Sequence, residues 1–407
     1  MEPVFLVVGD TARSSARSGI QSVVRSLAGA FGERGAPVRP VIWNARNRWL
    51  RALPPELEVG PGAEPLRDPA RWLTWPLLRR QPLAWVPWLR VGGRGKFLPL
   101  HGHPLHRRAP PGTWVLLAEL MYEGKAAQLV DYVHRRGWRL AAIFYDTIPV
   151  DRPDLVPPDL TEKHAAYIRG LTNADLILPI SEFSADGWRS FLVKENLPSP
   201  PVRTCTLACD LVGTPRVHAL PPAKAPGEPV RMLCVSTLEP RKNHATLLDA
   251  YERATTLRPD LQLELHLVGA SYVGSQDIVD RVRAAMARLP GLHWHEQVEY
   301  ARLQELYAQC DFTVYPSVLE GFGLPVIESL WQGRPCLCAN FGVMAENAAG
   351  GGCLTTDVRD PAALTTAILT LANSADLRRR LATEAITRPL KTWGEYAAEV
   401  LSCLSAK

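Results

Sequence analysis

Runs of consecutive apolar residues alternate along this chain with stretches in which apolar residues recur every three to four positions. The pattern is clearest after residue 229, with strand-like runs at 230–235, 263–268, 292–294 and 312–315 and helical periodicity near 247–251, 276–288 and 301–309. Strands that alternate with helices of about 10 to 15 residues predict a parallel sheet covered by helices on both faces. The second half of the chain is therefore predicted to be a doubly wound α/β domain.

The first half repeats this rhythm less regularly, with strand-like runs at 4–8, 38–43, 114–117, 140–144 and 176–178 and a helix near 19–31. Between the halves, residues 213–229 are rich in proline, which favours a semi-rigid spacer without regular structure. We therefore predict an N-terminal domain over 1–212, a linker over 213–229 and a second domain over 230–390. Residues 391–407 are predicted to form a terminal helix that packs back on the first domain.

Length and composition limit the class of protein. The 407 residues suit two or three domains, and 46% apolar with 21% charged residues exclude disorder and coiled coil. No apolar run approaches the 18 to 20 residues of a membrane span, and no basic segment precedes the first run, so neither a signal peptide nor a transmembrane helix is expected. The eight cysteines form no C-x-x-C pair, which indicates reduced thiols in a cytoplasmic protein and disfavours structural zinc.

The net charge of +5 is concentrated in one segment. Residues 41–110 hold twelve Lys or Arg against four Asp or Glu, together with six of the twelve tryptophans. Basic residues interleaved with Trp are what an anionic membrane surface or a phosphate-linked lipid attracts, which predicts peripheral contact with the inner face of the cytoplasmic membrane. The alternative is a Pro-rich insertion with core tryptophans and a solvated charged face. No RNA- or DNA-binding motif accompanies the segment, so nucleic acid is not an expected partner.

The most informative stretch spans residues 320–328 and reads Glu-Gly-Phe-Gly-Leu-Pro-Val-Ile-Glu. Its two glycines allow the backbone to approach a ligand closely, and Pro325 suits the first turn of a helix, whose free N–H groups would face an anion. Glu320 lies in the loop before this helix and Glu328 about one turn into it, so both carboxylates can accept hydrogen bonds from hydroxyls in one pocket. The stretch predicts a phosphate-binding loop without a Walker lysine.

A second stretch, residues 236–243, reads Ser-Thr-Leu-Glu-Pro-Arg-Lys-Asn, follows a predicted strand and opens a helix. Ligands of open α/β sheets bind at the carboxyl ends of the strands. Arg241 and Lys242 would neutralise a diphosphate there and stabilise it as a leaving group. Taken separately, the basic pair also fits a solvated helix start and the two glutamates fit surface charges. Their position at matching strand ends favours one shared site.

Together these stretches resemble the retaining nucleotide-sugar glycosyltransferases of family 4, in which two glutamates separated by seven residues mark the donor site. The resemblance is strongest over about 230–360 and extends to Ser18-Gly19-Ile20, to 144–149 and to 178–184. It implies two Rossmann-like doubly wound domains facing a cleft, the GT-B type of fold. The Glu-Pro-Arg-Lys-Asn form of the second stretch resembles bacterial mannosyl- and rhamnosyltransferases of O-antigen or capsule assembly.

The resemblance implies a role for each matching residue. Glu320 would bind hydroxyls of the donor sugar, and Glu328 would bind the ribose. Arg241, Lys242 and the backbone N–H groups of three loop residues would hold the diphosphate; these three are Phe322, Gly323 and Leu324. Val298 would contact the base, Gly19 would let the N-terminal loop approach the phosphate or acceptor, and Asp146 would assist the acceptor proton.

Three positions depart from the family pattern: Thr237 replaces a frequent Arg, Tyr145 replaces a His before the Asp, and Ala208 replaces a frequent Gly. No D-x-D pair is present to hold Mn²⁺ or Mg²⁺ against a diphosphate, so neither a metal nor another cofactor is expected. His101, His103 and His106 are spaced loosely in a basic loop and fit substrate contact or solvent exposure better than metal ligation.

The sequence thus predicts an enzyme, a hexosyltransferase that moves a sugar from a nucleoside diphosphate donor to a hydroxyl of a glycan or polyprenyl-diphosphate-linked acceptor, with retention. GDP-mannose is the first expectation for the donor. Two alternatives stay open at this stage: a nucleotide-sugar epimerase of similar two-domain fold, and a non-catalytic protein that binds nucleotide sugars.

Overall fold

The computed structural model describes residues 4–13, 19–46, 48–52, 109–208, 210, 214–220, 224–225, 227–272 and 274–405. Within these residues two six-stranded sheets form. The first consists of β1 (Val4–Val7), β2 (Val38–Asn44), β3 (Trp49–Ala52), β4 (Trp114–Leu117), β5 (Arg139–Phe144) and β6 (Leu176–Pro179). The second consists of β7 (Val230–Val235), β8 (Leu263–Val268), β9 (Leu292–Trp294), β10 (Phe312–Tyr315), β11 (Cys336–Ala339) and β12 (Cys353–Thr356).

Both sheets have the same strand order. The first runs β3-β2-β1-β4-β5-β6 and the second, read from its other edge, runs β9-β8-β7-β10-β11-β12. The strand order reverses between β1 and β4 in the first sheet and between β7 and β10 in the second. Doubly wound folds bind ligands at such reversal points. The predicted α/β fold with two Rossmann-like sheets is confirmed. The sequence did not predict β3, which pairs antiparallel with β2 through Trp43 opposite Leu50.

Helices cover both sheets. In the first half they are α1 (Gly19–Glu33), α2 (Lys125–His134), α3 (Ile148–Asp151), α4 (Pro158–Gly170) and α5 (Glu182–Glu195). In the second half they are α6 (His244–Leu257), α7 (Gln276–Arg288), α8 (Tyr300–Gln309), α9 (Leu324–Trp331), α10 (Gly342–Ala348), α11 (Pro361–Asn373), α12 (Ala375–Thr387) and α13 (Trp393–Ser405). Among the described helices, none combines the length and the apolar character that a bilayer crossing requires.

The core forms where apolar strands meet the apolar stripes of these helices. The four residues of β1 are all buried, as expected for a parallel strand covered on both faces. Helix α13 packs against α1 of the first half, with Tyr396 and Leu404 in the same cluster as Leu27. The backbone N–H of Trp393 donates to Asp210 Oδ1 at 2.8 Å. The last helix therefore returns to the first sheet after the second sheet is complete.

Part of the basic, Trp-rich segment 41–110 belongs to this core. Trp43 is 6% exposed and meets the ring of Tyr132 edge-on, with ring centroids 5.1 Å apart. The tryptophans at 72, 75, 85 and 88 and nine of the twelve basic residues lie outside the described residues. The predicted membrane contact of this segment remains a prediction, as do the domain bounds.

Candidate active site

The two stretches singled out in the sequence lie at the carboxyl ends of β7 and β10, which are adjacent strands of the second sheet. After β7, a single 3-10 turn spans Pro240–Lys242. Asn243 then takes a left-handed conformation with φ 58°, which Asn tolerates better than most residues, and α6 begins at the next residue. The side-chain Nδ2 of Asn243 donates to the carbonyl of Val358 at 2.8 Å. This fixed turn directs Arg241 and Lys242 toward the loop after β10.

Glu320 is the centre of the resulting cluster. Its Oε1 accepts hydrogen bonds from Lys242 Nζ at 2.5 Å, Tyr315 Oη at 2.7 Å and Ser317 Oγ at 2.7 Å. Its Oε2 accepts a hydrogen bond from Arg241 Nη1 at 2.5 Å. Because a carboxylate offers about four lone-pair sites, two on each oxygen, Oε2 keeps the capacity to accept a further hydroxyl.

The charges of this cluster balance. Arg241 and Lys242 face Glu320, and Glu239 Oε1 lies 2.9 Å from Arg241 Nη2 and 3.9 Å from Lys242 Nζ. Two cations and two carboxylates therefore sum to zero. Burial alone would raise the pKa of Glu320, but Lys242 and Arg241 outweigh it and lower that pKa to about 2. For Lys242 burial prevails and lowers its pKa despite Glu320.

The loop after Glu320 leaves donors available at the start of α9. Gly323 has φ +81°, a left-handed conformation that favours glycine, and Pro325 occupies the first turn of the helix. The side-chain amide of Asn347 donates to the carbonyl of Phe322 and fixes the loop from behind. Within the described part of the chain, the N–H groups of Phe322, Gly323 and Leu324 donate to no other group. Three N–H groups thus remain at the positive end of a helix.

The first half of the chain contacts this loop directly. The carbonyl of Gly321 accepts hydrogen bonds from Ser181 Oγ at 2.8 Å and from Ser184 Oγ at 3.0 Å. A Cβ atom at Gly321 would lie 2.6 Å from the carbonyl oxygen of Tyr145 and 3.1 Å from the Asp146 side chain. Glycine is therefore required at 321 because the two halves approach each other here.

Asp146 lies on the first-half side of this contact. Burial raises its pKa, while His164, the backbone N–H of Ile148 and Arg241 act in the opposite direction. The N–H of Ile148 donates to Asp146 Oδ1 at 3.0 Å. His164, buried in α4, hydrogen-bonds through Nε2 to the Asp146 carbonyl at 3.0 Å and through Nδ1 to Tyr122 Oη at 3.1 Å. Sequence analysis missed His164 and Tyr122, because no spacing relates them to Asp146.

Glu328 lies one turn into α9 in a different environment. Among the described groups, the only hydrogen bond to its carboxylate comes from Tyr307 Oη at 3.5 Å. Burial raises its pKa to about 7, and Tyr307 and Lys242 offset that effect in part. Val298, half-buried, lies between β9 and α8 on the same edge of the sheet. Both residues belong to the second half of the chain, and the Glu328 carboxylate forms no ion pair within the described residues.

The remaining residues singled out in the sequence lie outside the group of side chains that hydrogen-bond to Glu320. Gly19 begins α1, and a Cβ there would have no neighbour within 4 Å among the described residues. Tyr145 does not stand in for a cleft histidine, because it is 4% exposed and donates to the carbonyl of Ala118 at 2.7 Å. Thr237 Oγ1 donates to Glu239 Oε1 at 3.3 Å, and Ala208 is buried.

Glu119 was not found from the sequence. It follows β4, is 3% exposed, and accepts hydrogen bonds from the backbone N–H groups of Asp10 at 3.0 Å and Thr11 at 2.5 Å. These hydrogen bonds fix the loop after β1 against the end of β4, where the strand order of the first sheet reverses.

The described residues contain no group of three or more His, Cys, Asp or Glu side chains that could hold a metal ion. The loop histidines His101, His103 and His106 lie outside them.

Solved structures define the class of fold. Sucrose-phosphate synthase from Thermosynechococcus elongatus matches with a TM-score of 0.65 and 16% identity, covering 99% of this chain and 98% of that one. Anabaena HepE in complex with UDP matches with a TM-score of 0.61 and 14% identity, covering all of both chains. The chain therefore has the GT-B fold of glycosyltransferases.

Sequence comparison identifies a family match within the second half of the chain. Residues 229–374 match the family described as "Glycosyl transferases group 1", a span that includes the whole second sheet together with Glu320 and Glu328. O-antigen chain mannosyltransferase B of Escherichia coli is 31% identical over 258 residues, covering 58% of this chain and 62% of that protein. Serotype-specific mannosyltransferase WbdA of the same species is 27% identical over 233 residues, covering 54% and 28%. The chain thus spans less than two thirds of either relative.

Proposed function

We propose that this protein is a retaining family-4 glycosyltransferase that transfers mannose from GDP-mannose to a hydroxyl of a glycan or lipid-linked glycan in bacterial surface polysaccharide synthesis. The observation that carries the proposal is the cluster of Glu320, Lys242 and Arg241 beside three N–H groups at the start of α9 that donate to no described group. The named mannosyltransferase relatives support the choice of sugar.

In this proposal the donor lies along the carboxyl ends of β7 and β10. The diphosphate accepts hydrogen bonds from the N–H groups of Phe322, Gly323 and Leu324, whose helix end carries a partial positive charge. Because Glu239 and Glu320 already neutralise Arg241 and Lys242, these two basic side chains attract a resting diphosphate only weakly. Their N–H donors bind more strongly as negative charge develops on the departing phosphate. Such preferential binding of the transition state lowers the barrier to transfer.

The sugar lies against Glu320, whose Oε2 accepts one of its hydroxyls. As the bond from the anomeric carbon to the phosphate oxygen breaks, the acceptor oxygen forms a bond to that carbon from the same face. The acceptor proton passes to the departing phosphate oxygen, and no protein group becomes covalently attached. Asp146, across the contact between the halves, orients the acceptor hydroxyl. No metal ion is part of this mechanism.

The test combines binding and transfer. GDP, UDP and dTDP, each free and as the sugar conjugate, are titrated into the protein by calorimetry, and GDP-mannose is expected to bind most tightly. Radiolabelled GDP-mannose is then incubated with manno-oligosaccharide, with and without EDTA. Transfer with retention in EDTA is expected. Conversion of the donor sugar without acceptor would identify an epimerase instead, and chelator-sensitive activity restored by Mn²⁺ would overturn the metal-free mechanism.

A further inference from the structure

Two cysteine thiols from distant parts of the chain meet outside the candidate active site. The sulfur atoms of Cys205 and Cys403 lie 3.6 Å apart, although 198 positions separate the two residues in the sequence. Cys205 is fully buried in the first half, and Cys403 is half-buried in the last turn of α13. Neither is among the side chains that hydrogen-bond to Glu320. The transfer reaction proposed above uses neither thiol.

Hydrogen bonds hold the segments that carry the two thiols. The N–H of Cys205 donates to the carbonyl of Pro179, the last residue of β6, at 2.9 Å. Lys391 joins this segment to α13, because its Nζ donates to the carbonyl of Thr206 at 2.9 Å and to Glu399 Oε2 at 2.5 Å. The docking of α13 on the first half therefore sets the distance between the two sulfur atoms.

This distance allows a disulfide to form with a small local movement. A disulfide bond is about 2.05 Å long, so the sulfur atoms have to approach by about 1.5 Å, which rotation of the Cys403 side chain can supply. Burial raises the pKa of the Cys205 thiol and the adjacent Cys403 adds to this effect, while Lys391 acts in the opposite direction. Cys205 is thus a protected thiol, and Cys403 is the one that an oxidant in solution reaches first.

We propose that Cys205 and Cys403 form a site of oxidative modification at which hydrogen peroxide converts the two thiols into a disulfide. The Cys403 sulfur attacks one peroxide oxygen and the O–O bond breaks. The departing hydroxide takes up the thiol proton as water, which leaves a sulfenic acid. The Cys205 sulfur then attacks the Cys403 sulfur, the S–O bond breaks, and the departing hydroxide takes the Cys205 proton as a second water. The thiol pair loses two electrons and the peroxide accepts them.

The position of the pair in the chain decides what the disulfide does. Cys205 precedes the passage of the chain into the second half and Cys403 follows its return, so the bond encloses the whole second sheet in one covalent loop. It also connects α13, whose Tyr396 and Leu404 pack with Leu27 of α1, to the end of β6. Oxidation therefore fastens the last helix to the first half.

The experiment treats the intact chain with hydrogen peroxide and maps disulfides by mass spectrometry after trypsin digestion. A cross-link between peptides 204–216 and 392–407 is expected, formed through Cys205 and not through Cys209, which shares the first peptide. The thermal midpoint should rise by roughly 5 °C and return with dithiothreitol, because closing a long loop restricts the unfolded chain. Amide exchange of α13 should slow in the oxidised form.

Three variants separate the roles of the thiols. Cys403→Ser should lose both the cross-link and the thermal shift. Cys205→Ala should accumulate a sulfenic acid at Cys403 that dimedone traps, whereas the wild type should not. Cys353→Ser is the matched control, because Cys353 is also a half-buried thiol and lies opposite the buried Cys336 in the register of β11 and β12. It should keep the cross-link and the thermal shift.

Three results would overturn the proposal: no cross-linked peptide in the oxidised wild type, a cross-link through Cys209, or a thermal shift that survives in Cys403→Ser. The first two are decided on the wild type alone, so they stand even if a variant fails to fold. None of these measurements requires a nucleotide or turnover, so their outcome is distinct from that of the transfer assay.

Discussion

Glu320 and Glu328 are both buried in the same loop-helix segment, yet their environments give them opposite acidities. Lys242 and Arg241 hold the pKa of Glu320 at about 2, although burial acts against this. Glu328 has a tyrosine hydroxyl at 3.5 Å and no cation in direct contact among the described residues, so burial prevails and its pKa rises to about 7. The difference separates a permanent anion from a group that titrates near neutrality.

Glu328→Gln is expected to change how stability depends on pH. Since the pKa of Glu328 rises on folding from 4.5 to about 7, ionisation costs stability as pH rises through this window. The variant should therefore gain stability relative to wild type on going from about pH 5 to about pH 8, as measured by thermal midpoints. Glu305→Gln, on the exposed face of α8, serves as the control and should show no such trend. A constant difference between Glu328→Gln and wild type would contradict the assigned acidity.

Glu320→Gln is expected to destabilise the protein by about 3 to 5 kcal/mol near neutral pH, because Lys242 and Arg241 lose a buried partner. The pKa of Glu320 falls on folding from 4.5 to about 2, so its stabilising contribution is complete above about pH 4.5 and is lost as pH falls toward 2. Unfolding midpoints of wild type and variant should converge over that range. The double variant Lys242→Met/Glu320→Gln should recover part of the loss at neutral pH, and failure to recover any would argue against direct pairing.

At the scale of elements, the loop between β10 and α9 uses two glycines for different reasons. Gly321 has no room for a side chain, because a Cβ would lie 2.6 Å from the Tyr145 carbonyl oxygen. Gly323 has room, with the nearest contact at 3.5 Å to Met344 Sδ, but its φ of +81° disfavours other residues. One glycine serves the contact between the halves, and the other sets the direction of the N–H groups at the helix start.

Alanine at each position should therefore give a different kinetic defect. Gly321→Ala is expected to force the halves apart and to lower kcat at least tenfold, with GDP affinity within about twofold of wild type. Gly323→Ala costs about 1 kcal/mol in backbone strain and should weaken GDP binding by moving the N–H groups. Calorimetry of GDP and steady-state kinetics distinguish the two. The opposite assignment of defects would show that the loop residues have been given the wrong roles.

Individual elements show how much of the fold and of the candidate site the sequence predicts. Strands β7, β8, β9 and β10 were located because buried parallel strands are continuous apolar runs. The Glu320 loop was located because its two glycines, Pro325 and two glutamates predict a helix start that binds an anion and hydroxyls. Strand β3 was missed because it pairs antiparallel through a short turn within a basic segment. His164 and Glu119 were missed because each meets its partner through tertiary packing, which no spacing along the chain records.

For the whole molecule, the contact between the halves is held by polar groups with defined geometry. Glu346 of α10 accepts hydrogen bonds from the backbone N–H groups of Glu182 and Phe183, both at 3.1 Å. These N–H groups open α5, where a carboxylate interacts favourably with the helix dipole. With the serine contacts to Gly321, this arrangement connects α5 of the first half to both α10 and the Glu320 loop.

Glu346→Ala is expected to loosen this contact without unfolding either half. Amide hydrogen exchange at Glu182 and Phe183 should accelerate, and kcat should fall because Asp146 is no longer held against the loop. Asp360→Ala is the matched control: Asp360 caps α11 by accepting from the N–H of Ala362 at 2.9 Å, entirely within the second half. If both variants lower kcat equally, helix capping in general, and not the contact between the halves, explains the effect.

The return of α13 to the first sheet affects how this molecule can be recombined with its relatives. A chimera with one crossover after residue 213 would replace Tyr396 and Leu404 together with the second half of the chain, and would leave α1 with a foreign partner. The exchangeable unit is instead an internal cassette between the proline-rich linker and Trp393, with two junctions. If the second half binds the donor as proposed, swapping that cassette is expected to transfer nucleotide preference while the original terminal helix continues to cover the original core.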